Sequence, residues 1–166
     1  MNKRKPNRIP EYDYSQIGAY FITICSSDMS HIFGRIVGAA TCRPYTLLSN
    51  TGKIIENEIN QISNIYDCVS VDCYIIMPNH IHMIISIVDR RPQVAPTISR
   101  VIKQFKGKVT KLVGATCGRP LNTPIWQRSF HDHVIRNDRA YQKIWEYIEN
   151  NPYTWVEDRY YTQEGN

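Results

Sequence analysis

Met77-Pro78-Asn79-His80-Ile81-His82-Met83-Ile84-Ile85 decides how this chain is read. An apolar run begins at the two histidines and alternates as a strand does. Successive strand side chains point to opposite faces, so His80 and His82 project together while Ile81, Met83, Ile85 and Ile87 point the other way. One face is then core. The other carries two imidazoles side by side, which is the start of a divalent-metal site.

Working outward, residues 69–76 alternate as a preceding strand, with Val69, Val71, Cys73 and Ile75 expected inward. Residues 18–26 read as a first strand with Tyr20, Ile22 and Ile24 on one face, and 31–37 with 45–48 as a weaker hairpin. Between them, residues 50–66 place Ile55, Ile59, Ile62 and Tyr66 at helical spacing. Downstream, 89–96 is a polar connection containing proline, and 97–112 is a second helix. Its apolar face is Ile98, Val101, Ile102, Phe105, Val109 and Leu112, and its other face carries Arg100, Lys103, Lys106, Lys108 and Lys111. Residues 125–135 suggest no definite conformation. A last helix starts at Asn137 or Asp138, either of which can cap it, and stops by Pro152. This order predicts an α+β fold, an antiparallel sheet with helices packed on it. The expected organisation is a basic N-terminal arm (1–17), one domain (18–158) and a short C-terminal tail (159–166).

The 166 residues suffice for one domain with a proper core. A net charge of +5 favours a polyanionic partner, and 11 tyrosines offer rings that can stack on unpaired bases. Five cysteines, Cys25, Cys42, Cys68, Cys73 and Cys117, form no Cys-x-x-Cys pair, which argues against a zinc ribbon or a disulfide framework and for a reducing cytoplasm. The basic start, Lys3-Arg4-Lys5, leads into no apolar signal region, and no run is long enough to span a membrane. A soluble, cytoplasmic protein is expected. The segments 37–44 and 113–120 resemble each other, Val-Gly-Ala-Ala-Thr-Cys-Arg-Pro and Val-Gly-Ala-Thr-Cys-Gly-Arg-Pro. They stand in different contexts and read as tolerated loop insertions, not as a structural period.

Two histidines are half a site. In the last helix Tyr147 and Asn151 are four apart and share a face, and Pro152 puts Asn151 at the helix end. A phenol and an amide opposite two imidazoles would make a metal site with a nucleophile beside it. Spacing alone favours Tyr147 as a core aromatic beside Ile144 and Ile148, and Asn151 as a plain helix C-terminus. A second His-x-His pair, His131 and His133, reads as solvated or structural.

Three ordered blocks carry a family resemblance: 77–85; 126–137, Trp-Gln-Arg-Ser-Phe-His-Asp-His-Val-Ile-Arg-Asn; and 147–152, Tyr-Ile-Glu-Asn-Asn-Pro. Together they resemble the single-tyrosine transposases of the HUH superfamily, IS200-like, and most nearly the REP-associated branch. The opening Arg8-Ile9-Pro10-Glu11-Tyr12-Asp13-Tyr14 is similar to that branch too. The resemblance implies a ferredoxin-like antiparallel sheet with His80 and His82 as metal ligands on a central strand. It implies Tyr147 as the catalytic nucleophile and Asn151 as third ligand. The implied activity is cleavage and rejoining of single-stranded DNA at or near hairpins through a 5′-phosphotyrosine and a free 3′-OH, with Mg²⁺ or Mn²⁺ as cofactor. A monomer rather than a homodimer is expected, at the nucleoid when bound to DNA.

The chemistry suits the residues. A phenol with an ordinary pKa of about 10 is a poor nucleophile at neutral pH, and a cation that polarises the phosphate compensates. A phosphotyrosine keeps the phosphodiester energy, so strands can be exchanged without ATP. Expected DNA contacts are Lys103 and Lys106 at the site, Arg4, Lys5 and Arg8 on the arm, and Trp126 and Arg128 in the second block. The rivals are a domesticated, non-catalytic binder of repeat hairpins and a metal hydrolase that activates water.

Overall fold

The computed structural model describes residues 13–38, 43–88, 96–118 and 123–163. Arg4, Lys5 and Arg8 lie outside them. The chain runs β1 (Gly18–Cys25), β2 (Gly34–Val37), β3 (Tyr45–Leu48), α1 (Asn50–Ile65), β4 (Val69–Ile76), β5 (His80–Ile87), α2 (Ile98–Cys117), β6 (His131–Ile135) and α3 (Asp138–Asn150). Four strands form one antiparallel sheet in the order β4-β5-β1-β6, and β2 and β3 pair as a separate ribbon. With the ribbon and α3 set aside, the succession β1-α1-β4-β5-α2-β6 is the ferredoxin-like split βαβ arrangement.

Alternation fills the core as expected. Tyr20, Ile22 and Ile24 of β1 and Ile81, Met83, Ile85 and Ile87 of β5 are buried against α1 and α2. Each such side chain contributes roughly 1.5–3 kcal/mol. The opposite sheet face packs a smaller cluster, Ile84, Ile135 and Ile148, beneath α3. Ser49 caps α1, accepting from the Gly52 amide at 3.0 Å, Thr97 caps α2, and Asn137 caps α3. Among the described residues no helix is long and apolar enough to cross a membrane.

Gly52 is where α1 touches the ribbon. A Cβ there would sit 2.0 Å from the carbonyl oxygen of buried Phe33. Backbone cannot yield as a flexible side chain would. Gly52→Ala is therefore expected to lose roughly 1–3 kcal/mol in urea denaturation, although alanine is the better helix former by about 1 kcal/mol. Unchanged or raised stability would show that the helix shifts freely at this point.

Several expectations need correction. The alternation 69-71-73-75 does not keep one face: a bulge between Val71 and Cys73 swaps the pleat. Val69, Val71, Tyr74 and Ile76 pack with the main core, whereas Cys73 and Ile75 turn toward α3. The bulged Asp72 accepts from Ser70 (2.7 Å), from Ser86, and from Tyr141 of α3 (2.9 Å), so a polar latch holds the last helix on the sheet. The second Gly-Ala-Thr-Cys copy is no loop. Val113 is buried one turn beyond Val109, and α2 continues to Cys117, where Gly118 in the left-handed region (φ 62°) ends it. Most of the first copy, 39–42, lies outside the described residues. Residues 131–135 become strand β6 because β1 offers them a ladder. Asn151 keeps helical angles (φ −55°, ψ −38°) despite Pro152, yet it still closes the helix as its C-cap.

Candidate metal and tyrosine site

β5 is an inner strand, paired by β1 on one side and β4 on the other. His80 and His82 lie on the face turned from α1 and α2, with ring centroids 4.4 Å apart, and both are fully buried. Hydrogen bonds fix which nitrogen of His80 bears a proton. The Asn79 amide nitrogen donates to the carbonyls of Met29 (3.2 Å) and Tyr160 (2.8 Å), so its oxygen must accept. His80 Nδ1 donates to that oxygen at 2.8 Å, which leaves the Nε2 lone pair buried without a hydrogen-bond partner. A buried imidazole oriented by its other nitrogen and unsatisfied at the first is what a metal ligand requires. His82 is set similarly, with Nδ1 2.9 Å from Thr23 Oγ1 on the neighbouring strand and Nε2 3.2 Å from the Tyr147 hydroxyl.

α3 brings Tyr147 and Asn151 to these rings. The Tyr147 ring stands 5.2 Å from that of His82 and edge-on to Phe21 at 6.1 Å, and about a third of the residue remains exposed. Asn151 is fully buried, and its Oδ1 is the second orphaned acceptor. The residue that sequence reasoning missed is Asp158. Its Oδ2 accepts from Tyr147 (3.0 Å) and Asn151 Nδ2 (2.5 Å), and its Oδ1 accepts from the Tyr160 amide (2.7 Å). Ligand atoms of His80, His82 and Asp158 all lie within 4.8 Å of one another. Two imidazole nitrogens, a carboxylate and an amide oxygen suit a divalent cation such as Mn²⁺, Mg²⁺ or Zn²⁺. The orphaned His80 and Asn151 atoms show that the residues present fit one.

Electrostatics agree with a site waiting for a positive charge. Burial pulls His80 down to about 4, against the opposing pull of Asp158. Burial, with the neighbouring His80, holds His82 well below its ordinary value. Both rings are therefore neutral and available as ligands at physiological pH. Burial, reinforced by the Asp158 carboxylate, pushes the Tyr147 phenol above the ordinary tyrosine value, so it rests protonated. The segment after α3 supplies the walls: Trp155 and Tyr160 pack on His80 at 5.8 and 4.8 Å between centroids. Nothing in the sequence pattern marks this segment, which has no periodicity and no spacing motif.

The expected DNA contacts divide. Lys103 and Arg128 are exposed. Lys106 is half-buried and donates to the carbonyl of Gln127 (2.7 Å), with that of Ser129 at 3.5 Å, so it clamps the loop before β6. Trp126 is a core residue packed between Phe33 and Phe105, its indole donating to the Lys106 carbonyl (3.2 Å), and offers no free face to a base.

Comparison with known proteins accords with this geometry. Residues 29–151 match the family described as Transposase IS200 like. A Haemophilus influenzae strain Rd protein, described as uncharacterized, is 30% identical over 181 residues, covering 97% of this chain and 94% of its own. Two solved structures share the fold. A REP-associated tyrosine transposase bound to a REP hairpin superposes with a TM-score of 0.56 at 21% identity, over 89% of this chain and 74% of that one. A Deinococcus radiodurans R1 protein assigned as a transposase superposes with a TM-score of 0.51 at 15% identity, over 90% and 97%. The family match covers most of the chain and spans both histidines and the tyrosine that the fold brings together, so the chain belongs to the IS200-like transposase family.

Proposed function

We propose that this protein cleaves and rejoins single-stranded DNA at or near hairpins, using Tyr147 as the nucleophile. The observation that carries the reading is the 3.2 Å approach of the Tyr147 hydroxyl to His82, beside orphaned lone pairs on His80 and Asn151. His80, His82, Asp158 and Asn151 would hold the cation, Mg²⁺ or Mn²⁺. When bound, it would polarise the scissile phosphate and offset the charge that develops there.

The chain's own residues account for the rest. Tyr147 oxygen forms a bond to phosphorus as the bond from phosphorus to the 3′ oxygen breaks, leaving a 5′-phosphotyrosine and a 3′-OH. The phenol has two acceptors in reach, His82 Nε2 and Asp158 Oδ2. His82 has a single lone pair left, which would serve the cation, whereas Asp158 has two carboxylate oxygens. Asp158 Oδ2 therefore accepts the phenolic proton while Oδ1 remains for the cation, and that proton passes on to the leaving 3′ oxygen. Phe21 and the α3 backbone hold the ring at the rim of the site, open to solvent on one side. The reverse attack by a 3′-OH on the phosphotyrosine rejoins strands without an external energy source.

The test is denaturing electrophoresis of the protein with Mn²⁺ and labelled single-stranded hairpins from repeats flanking its own gene. A slow-migrating covalent adduct is expected. Cut DNA without adduct would point to hydrolysis by activated water, and binding without cutting to a domesticated DNA-binding protein. A second measurement concerns the added ligand. Asp158→Ala should weaken Mn²⁺ binding in calorimetric titration by more than the roughly 10- to 100-fold typical of a partner outside the ligand set, and unchanged affinity would remove Asp158 from that set.

A further inference from the structure

The second His-x-His pair has no place in the chemistry above, and the sheet register gives it one. Among the described residues β6 is an edge strand paired only with β1. His131 lies opposite Thr23, and Thr23 lies opposite His82 on the other side; His133 lies opposite Phe21, which lies opposite Ile84. Residues opposite one another in a ladder share a face. His131 and His133 therefore stand on the catalytic face, two strand spacings or about 10 Å from the backbone of His82 and Ile84. Phe21 sits between His133 and the nucleophile, with the Tyr147 ring edge-on to it at 6.1 Å.

Both histidines are exposed. Among the described residues, the one group of three or more metal-binding side chains is His80, His82 and Asp158, so the second pair has no third ligand and metal binding does not explain it. What it presents is a pair of ring N–H donors on one face, roughly 7 Å apart along the strand. That interval is close to the phosphate-to-phosphate step of an extended single strand. Arg128, also exposed, enters the same strand from a loop that Lys106 clamps at the carbonyls on either side of it. Arg128 is thus an exposed cation just ahead of the two histidines, which stand side by side on the strand that ends the sheet among the described residues.

We propose that His131 and His133 bind successive phosphates of the single-stranded DNA next to the scissile phosphate, with Phe21 as the surface between that track and Tyr147. The inference rests on the single-strand reading above, but its test does not require cleavage. Two labelled hairpins are compared by fluorescence anisotropy in EDTA, one blunt and one with a single-stranded tail. A tail of about ten nucleotides falls within the usual site size for single-strand binders. The double variant His131→Ala/His133→Ala should bind the tailed hairpin about 10-fold or more weakly, as expected for two lost hydrogen bonds to charged phosphates, and the blunt hairpin as the parent does. Equal affinities for the tailed hairpin, or an equal loss with the blunt one, would overturn the proposal.

A measurement on the unaltered chain removes dependence on the variant's folding. With 5-iododeoxyuridine in the tail, ultraviolet cross-links should map by mass spectrometry to the peptides carrying Phe21 or His131–Ile135. Cross-links confined to the exposed α2 lysines would place the strand elsewhere. A tail effect without any covalent adduct would leave this track standing and sink the nuclease reading; an adduct without a tail effect would do the reverse.

Discussion

Tyr147→Phe will abolish the covalent protein–DNA adduct while leaving hairpin affinity within about twofold. The variant deletes one oxygen and keeps a ring of the same shape against Phe21 and His82. Removing a nucleophile leaves only whatever background water provides, so a fall in cleavage of about 10⁴-fold or more is expected. Anisotropy and denaturing gels on the same samples check both halves. The fold should not suffer, because the hydroxyl is at the rim and its partners, His82 and Asp158, retain other hydrogen bonds. Phenylalanine also frees Asp158 Oδ2 of one donor, so Mn²⁺ affinity should hold or rise. Cleavage persisting at a tenth of the parent rate would show that another group, water included, attacks the phosphate.

His80→Ala will remove the thermal stabilisation that Mn²⁺ confers. A ligand that binds only the folded state stabilises it by about 2.7 kcal/mol at 100 times its dissociation constant. Loss of one of two imidazole ligands should lower affinity by more than the 10- to 100-fold typical of outlying partners. The melting temperature of the parent should rise with Mn²⁺ and that of the variant should not. The same residue carries a pH signature. His80 titrates near 4 in the folded protein because burial opposes its charge, against an ordinary value of 6.5. Between those values the unfolded chain binds a proton that the folded site refuses, so stability falls as pH drops through that window. His80→Ala should flatten that fall in metal-free denaturation curves. A Mn²⁺-dependent shift that survives the substitution would mean the ion is held elsewhere.

What was legible in the sequence was whatever repeats locally. Alternation placed His80 and His82 opposite Ile81 and Met83, and helical spacing placed Ile55, Ile59 and Ile62 inward, because each pattern is dictated by neighbours within a few residues. Tyr147 and Asn151 shared a face for the same reason, although only the family blocks singled them out. Asp158 escaped because it reaches the site through an irregular turn. The bulge at Asp72 escaped because period-two reading assumes an unbroken pleat, and one of the bulged residue's partners, Tyr141, comes from a distant helix. Residues 131–135 lacked an apolar alternation because an edge strand with one open face can carry histidines there. Trp126 looked like a stacking platform because an aromatic beside arginine reads the same whether it faces solvent or, as here, Phe33 and Phe105.

The latch between Asp72 and Tyr141 and the small cluster under α3 bear on how such a gene could change over generations. Two of the proposed ligands, His80 and His82, sit on an inner strand that the whole domain needs in order to fold. The proposed nucleophile rides on a helix held from outside by two buried apolar residues, Ile84 and Ile135, against its own Ile148, and by one carboxylate. Substitutions that loosen α3 would silence cutting while sparing the sheet, its edge strand and the charged surface. A lineage could thus pass from mobilising DNA to merely binding it in few steps, and the reverse path would demand rebuilding only one helix.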